Sequence, residues 1–192
     1  MEQPIIFFVG KPGSGKGTQA KLLSEATGWT PFSAGDLFRE IRQEDTVLGR
    51  KVKEEYDAGI LQPHWFAMYL FLKVLFSLPS DAGVIFDGFS RKVPEAELII
   101  DSLQWLGRSF TILDIKVSDE EVKRRIARRK DIEGRADDNA FDKRLDEYKK
   151  FTEPAIDLFR KAGVLVEVNG EQTPEAIAAD VKTALNLSPL RV

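Results

Sequence analysis

Gly10-Lys11-Pro12-Gly13-Ser14-Gly15-Lys16-Gly17-Thr18 follows the apolar run Ile5-Ile6-Phe7-Phe8-Val9 and opens a helical pattern that ends at Thr27. The order is strand, glycine loop, helix. Glycine lets a backbone take φ > 0 and turn its N–H groups inward. A ring of inward N–H groups at a helix N-terminus is an anion site, because the macrodipole and the orphan donors point at the same place. Lys16 adds a full positive charge for terminal phosphates. These residues predict a nucleotide phosphate cradle built from Gly13, Ser14, Gly15, Lys16, Gly17 and Thr18. The hydroxyl that usually follows the lysine directly is displaced by one residue, to Thr18.

Around the loop, short apolar runs alternate with helical patterns. Strands are predicted at Ile5–Val9, Pro31–Ser33, Val84–Phe86, Thr111–Val117 and Val164–Val168. Helices are predicted at Lys16–Thr27, Asp36–Gln43, Leu48–Ala58, His64–Leu78, Pro94–Leu106, Asp119–Lys130, Phe141–Ala162 and Pro174–Leu185. This alternation implies a parallel α/β sheet with helices on both faces. At 192 residues one main domain is expected, and 43% apolar with 31% charged residues is ordinary for a soluble globular chain. A net charge of −3 gives no general attraction to nucleic acid or membrane, so neither is expected as a partner. Without cysteine there is no disulfide framework and no thiolate zinc site. The opening MEQPIIFFVG has no basic segment and too short an apolar run for a signal peptide. A cytoplasmic location is the expectation.

Gly83-Val84-Ile85-Phe86-Asp87 is an apolar strand that ends in an acid. A carboxylate at a strand end beside a phosphate loop can hold Mg²⁺ or its water shell, since Mg²⁺ keeps several waters. Asp87 is the candidate metal residue. Arg91 follows four residues later. The basic helix Lys123–Lys130 puts Arg125 and Arg129 on one face, and Val122 and Ile126 on its packing side.

Several motifs carry a family resemblance over nearly the whole chain. The loop fits G-x-P-G-x-G-K-G-T-Q, Asp87–Arg91 resembles D-G-F-P-R, and Ser33–Arg39 resembles S-T-G-D-L-L-R. Asp57–Pro63 is similar to A-G-x-L-V-P, Gly134–Asn139 to the lid motif G-R-x-D-D-N, and Arg144–Tyr148 to R-L-x-x-Y. Together they resemble the adenylate kinase family of P-loop nucleoside-monophosphate kinases, in its short-lid form. The resemblance implies a P-loop NTPase-like sheet of five parallel strands, with a helical NMP-binding insertion at 34–62 and a short lid at 130–139. The core is then 1–33, 63–129 and 140–192. It implies transfer of a phosphoryl group from ATP to AMP, with Mg²⁺ as cofactor and a monomeric enzyme.

Roles follow residue by residue. Lys16, Arg91, Arg129, Arg135 and Arg144 would surround the moving phosphoryl group. Arg125, Arg129 and Gln172 join the loop residues in binding ATP. Ala34, Arg39, Ile60, Leu61, Gln62, Gly88, Phe89, Ser90, Arg91, Glu95, Arg135 and Arg144 would bind the monophosphate. Asp36 is expected to cap its helix. Ser90 replaces the motif's proline, which would leave that turn less rigid. Trp29, Trp65 and Trp105 are expected to be packing residues.

Two departures bear on the acceptor base. Ala34, where adenylate kinases usually carry threonine, also resembles uridylate–cytidylate kinases. Lys92–Ala96 aligns with T-x-x-Q-A, whose glutamine reads adenine, but this chain has Glu95. An ionised glutamate only accepts hydrogen bonds. It suits the adenine N6 amino group but opposes the N1 lone pair, and guanine fits it better. Alternatively, Glu95 pairs with Lys92 at the surface and another group reads the base. AMP is the favoured acceptor. GMP, UMP or CMP, or a nucleotide-binding regulator without transfer, are the alternatives.

Overall fold

Strand β1 (Ile5–Val9) has no exposed residue, and this decides the architecture. It lies at the centre of a sheet of five parallel strands, in the spatial order β2 (Thr30–Ser33), β3 (Val84–Asp87), β1, β4 (Phe110–Lys116) and β5 (Leu165–Asn169). Structure is described here for residues 4–79, 81–133 and 140–187 of a computed structural model. The pleat sends alternate β1 side chains to opposite faces. Ile5, Phe7 and Val9 join a cluster with residues of α4 (His64–Leu75), α5 (Val93–Trp105) and α8 (Glu153–Lys161). Ile6 and Phe8 join residues of α1 (Lys16–Thr27), α6 (Asp119–Glu133) and α9 (Pro174–Ala184) on the other face. A strand covered on both sides must be apolar throughout, as this one is.

Register aligns the strand ends. Ile5 pairs with Val84 and with Phe110, so Phe8 stands beside Asp87 and Val9 beside Asp114. In parallel α/β sheets, ligands bind beyond these carboxyl ends. Two helices, α2 (Ala34–Ile41) and α3 (Val47–Asp57), follow β2 there and pack on each other. No helix among the described residues is long and apolar enough to cross a membrane.

The strand positions match the sequence reading to within about one residue at each end. Four expectations need correction. The N-cap of α2 is Ser33, whose Oγ accepts from the Asp36 N–H at 3.2 Å; Asp36 sits inside the first turn and pairs with Arg39. The single helix expected at Phe141–Ala162 is three pieces: α7 (Phe141–Glu147), a π-helical turn at Tyr148–Thr152, and α8. Pro154 explains the break, because it has no N–H to donate and its ring opposes the carbonyl one turn back. Helix α6 continues to Glu133, three residues beyond Lys130, into the segment expected to be lid; residues 134–139 lie outside the described residues. Trp29 is buried in the core, but Trp65 and Trp105 are 64% and 79% exposed. On α4, Phe66, Met68, Phe71 and Leu75 are buried, while Trp65, the second residue of the helix, stays exposed.

Aromatic rings fill the space between α4 and the sheet. Phe7 and Phe86 stack at 5.0 Å, and Phe71 meets Phe86 edge-on at 5.1 Å. Phe71 is wholly buried. Phe71→Ala is expected to cost about 3–5 kcal/mol, since truncating a buried phenylalanine leaves a cavity as well as losing transfer energy. Thermal unfolding followed by circular dichroism should show a midpoint lowered by more than about 6 °C. A smaller shift would show that the helix collapses onto the sheet and fills the gap.

Candidate functional site

A cleft of about 1360 Å³ opens above the carboxyl ends of the strands. That exceeds the usual range of roughly 300–1,000 Å³ for a single small-molecule site. One end is the glycine loop, and the other is formed by α2, the end of α3 and the start of α5.

At the loop end, Gly15 is the N-cap of α1 with φ 98°, and no side chain caps the first turn. The left-handed conformation there belongs to glycine. Gly10 allows the closest approach: a Cβ there would lie 2.8 Å from the Ile115 carbonyl oxygen. Ser14 is fully buried beneath the loop, while Gly13, Gly15, Lys16, Gly17 and Thr18 line the cleft. Lys16 turns back onto the loop. Its Nζ donates to the carbonyls of Gly10 and Lys11, both at 2.8 Å, with Ser14 Oγ at 3.4 Å. Burial lowers its pKa to about 7; Asp87 opposes the shift, and Arg91 and Arg144 add to it. The loop's own carbonyls thus hold the Lys16 Nζ in place.

Asp87 ends β3 facing the same space. Burial raises its pKa, against the pull of Lys16 and Arg91. Its Oδ1 is buried with no hydrogen-bond partner among the described residues. A Cβ on Gly17 would stand 3.3 Å from its Oδ2, so the glycine keeps this carboxylate clear. A single carboxylate with an unspent oxygen beside a phosphate cradle suits Mg²⁺ held through water.

The arginines take two kinds of place. Arg125 is a cross-tie. Its Nη1 donates to the Ser14 carbonyl at 3.1 Å, Nη2 to the Gly170 carbonyl at 2.7 Å, and Nε to Glu121 at 2.6 Å. It lines the cleft, but this guanidinium is engaged in joining the phosphate loop to the turn after β5. Gln172 in that turn donates to the Asn169 carbonyl and to Asp180 while facing the cleft. Arg91 and Arg144 line the middle of the cleft, and Arg39 lies at the acceptor end with Nη1 bonded to the Tyr56 hydroxyl at 2.8 Å. For Arg129 only its backbone place in α6 is described, and Arg135 lies outside the described residues.

The segment after β3 is tightly folded. Gly88 (φ 73°) and Ser90 (φ 66°) both take left-handed conformations, and Phe89 and Ser90 are buried. The turn is therefore not loosened by the missing proline. Proline fixes φ near −65° and could not adopt this conformation. Arg91 Nε donates to the Gly88 carbonyl at 2.6 Å, and the Arg91 carbonyl accepts from Thr152 Oγ1 at 3.1 Å. Glu95 is 2% exposed, so it is not a surface partner of Lys92; its Oε2 accepts the Arg91 N–H at 2.6 Å. Lys92 reaches the other way, its Nζ donating to the carbonyls of Leu61 at 3.3 Å and Gln62 at 2.9 Å. The loop Ile60-Leu61-Gln62 and Ala34 complete the end of the cleft away from the glycine loop. Gly59 (φ 70°) brings that loop against α7: a Cβ there would meet Ala140 Cβ at 2.8 Å and Arg144 Cγ at 3.1 Å.

Sequence reasoning missed Asp114, Tyr148 and Thr152. Asp114 is fully buried beside Val9, with Lys116 Nζ 3.4 Å away but not hydrogen-bonded, and burial raises its pKa. An acid inside the apolar run Thr111–Val117 was the available signal. Tyr148 and Thr152 reach the cleft lining from the π turn, which sequence periodicity could not place.

Comparison with known proteins agrees with this geometry. A family model described as adenylate kinase matches residues 8–164. The chain is similar to an adenylate kinase of Thermus thermophilus, 36% identical over 185 residues covering 95% of this chain and 97% of the relative. It is similar to those of Phocaeicola vulgatus, 37% identical over 94% of this chain and 97% of the relative, and Hyphomonas neptunium, 37% identical over 96% and 98%.

The Lys16 environment has a measurable consequence. Its folded pKa, about 7, lies below the ordinary lysine value of 10.5. The cost of charging it is therefore carried in full below pH about 7 and relieved as pH rises from 7 toward 10.5. In NMR titrations of lysine ¹³Cε shifts, one resonance, absent in Lys16→Met, should titrate near pH 7. Saturating sulfate should move it upward by roughly 1–3 units, because an opposite charge within reach favours the ammonium. A Lys16 that titrates with the other lysines, with and without sulfate, would refute the account.

Proposed function

The chain belongs to the adenylate kinase family, and we propose from that membership that its cleft carries the terminal phosphoryl group of ATP onto AMP, giving two ADP. The observation that supports this most directly is at the loop end, where Lys16 Nζ donates to the loop's own carbonyls and Asp87 keeps a buried oxygen with no hydrogen-bond partner among the described residues. A metal-bound polyphosphate satisfies both.

Each residue then has a task. The α1 N-terminus and loop N–H groups hold the ATP phosphates. Lys16 exchanges its carbonyl partners for phosphate oxygens. Asp87 would hold Mg²⁺ through water, and Mg²⁺ supplies charge neutralisation between the phosphates when bound. Arg39 positions the acceptor phosphate. Arg91, Arg144 and, by the resemblance, Arg129 and Arg135 answer the charge that spreads over the equatorial oxygens in a loose transition state. No general base is required, because the acceptor phosphate is already an anion at neutral pH. Residues 34–62 act as the acceptor-binding insertion, and 130–139 as a lid that excludes water. We take the enzyme to be a cytoplasmic monomer whose partners are its two nucleotides.

A coupled assay tests this. Mg·ATP with AMP should give ADP at a kcat/KM above that for GMP, CMP or UMP, and excess EDTA should abolish turnover. Lys16→Met should keep its circular dichroism spectrum and lose at least about 100-fold in kcat, the scale of removing one well-aimed charge from a transition state. Asp87→Asn should raise the Mg²⁺ concentration needed for half-maximal rate. Near-normal turnover in a folded Lys16→Met variant would sink the assignment of the loop.

A further inference from the structure

Glu95 alone leaves adenine half recognised. The adenine edge presents the N6 amino donor beside the N1 lone pair. An ionised carboxylate serves the first and opposes the second. In this fold, moreover, the carboxylate already accepts the Arg91 N–H at 2.6 Å and bonds the Lys92 backbone. Burial raises its pKa, while these contacts and the Arg91 and Lys92 charges favour the ionised form against it. N1 needs a donor from another part of the lining.

The neighbouring lining is mostly apolar: Ala34, Phe38, Ile60, Leu61 and Ala67 offer no side-chain donor. Gln62 does. It is 6% exposed, and its Nε2 is buried with no hydrogen-bond partner among the described residues. A buried amide without a partner costs free energy that a correctly placed acceptor restores. The backbone that carries it is pinned on both sides. The Gln62 carbonyl accepts from Lys92 Nζ at 2.9 Å, and the Leu61 N–H donates to Glu147 Oε2 at 3.3 Å. Lys92 is also the N-cap of α5, three residues before Glu95. One residue therefore ties the donor-bearing loop to the helix that bears the acceptor, and little ordering is left to occur on binding.

We infer that Gln62 and Glu95 read the acceptor base as a pair, the Gln62 amide donating to adenine N1 while the Glu95 carboxylate accepts from the N6 amino group. Gln62 is thus a specificity-determining residue, and the pair makes AMP compatible with a carboxylate at position 95. This rests on AMP being the acceptor.

The probe is 1-deaza-AMP, in which C–H replaces N1 and the shape is kept. Dissociation constants for AMP and 1-deaza-AMP are measured by calorimetry on the parent and on Gln62→Met, with kcat/KM for AMP and melting temperature alongside. The parent should bind 1-deaza-AMP roughly ten-fold or more weakly than AMP, the cost of facing a buried donor with no acceptor. Gln62→Met should weaken AMP by a similar factor, bind both nucleotides about equally, and leave ATP affinity within about two-fold. Adding Glu95→Gln to Gln62→Met returns an amide to the pocket and should recover most of the AMP affinity. If Gln62→Met does not fold, Gln62→Leu replaces it, and the comparison on the parent stands without either. Equal binding of the two nucleotides by the parent overturns the inference. So does a Gln62→Met variant that still discriminates between them. A parent that turns over GMP better than AMP overturns the acceptor reading itself, which the other outcomes leave intact.

Discussion

Strand β1 has no solvent face, and from that constraint the rest of the molecule follows. A backbone buried on both sides must pair with strands on both edges and be covered by helices above and below. Parallel neighbours then need crossover helices, and every strand delivers its carboxyl end to the same rim. Gly10, Asp87 and Asp114 meet there because Ile5 is in register with Val84 and Phe110. The chemistry of the cleft is set by where five short apolar runs stop.

The rim is electrostatically unfinished. Lys16 borrows two carbonyls that normally accept from N–H groups, while Asp87 keeps a buried oxygen without a partner among the described residues. Each state is costly in a low-dielectric setting, and on the proposed function a metal-bound nucleotide would relieve both. Such a site favours the charge pattern of the ligand over any arrangement of its own atoms. The acceptor end works by a different device. There the backbone is held by Lys92, Glu147 and Glu95, and the Gln62 Nε2 is buried with no hydrogen-bond partner among the described residues.

What could be read from the chain was what is local. The glycine loop, the apolar strands and the acid that ends β3 are contiguous patterns, and their positions agree with the structure. The α2 cap was assigned to Asp36 although Ser33 lies one helical turn earlier; both are good caps, and only the backbone path chooses. Pro154 was visible, but a π turn depends on which carbonyl the proline leaves unserved. Arg125 joins Ser14 and Gly170 across long stretches of chain, a contact that helix periodicity does not encode. Trp65 and Trp105 show the converse error: bulk and apolarity argue for burial, but helix phase decides it. Gln62 was placed by resemblance on a lining loop. Its side chain drew notice only because the structure buries its Nε2 with no hydrogen-bond partner among the described residues.

Gly59 lets the loop that follows α3 lie directly against the start of α7. With φ 70° and Ala140 pressed against it, position 59 has no room for a methyl group. Neither residue touches the phosphate loop or reads a base. Yet the loop bearing Gln62 and the helix bearing Arg144 keep their spacing only while position 59 stays a glycine. The machining tolerance of the whole cleft is thus recorded at two residues with almost no side chain between them.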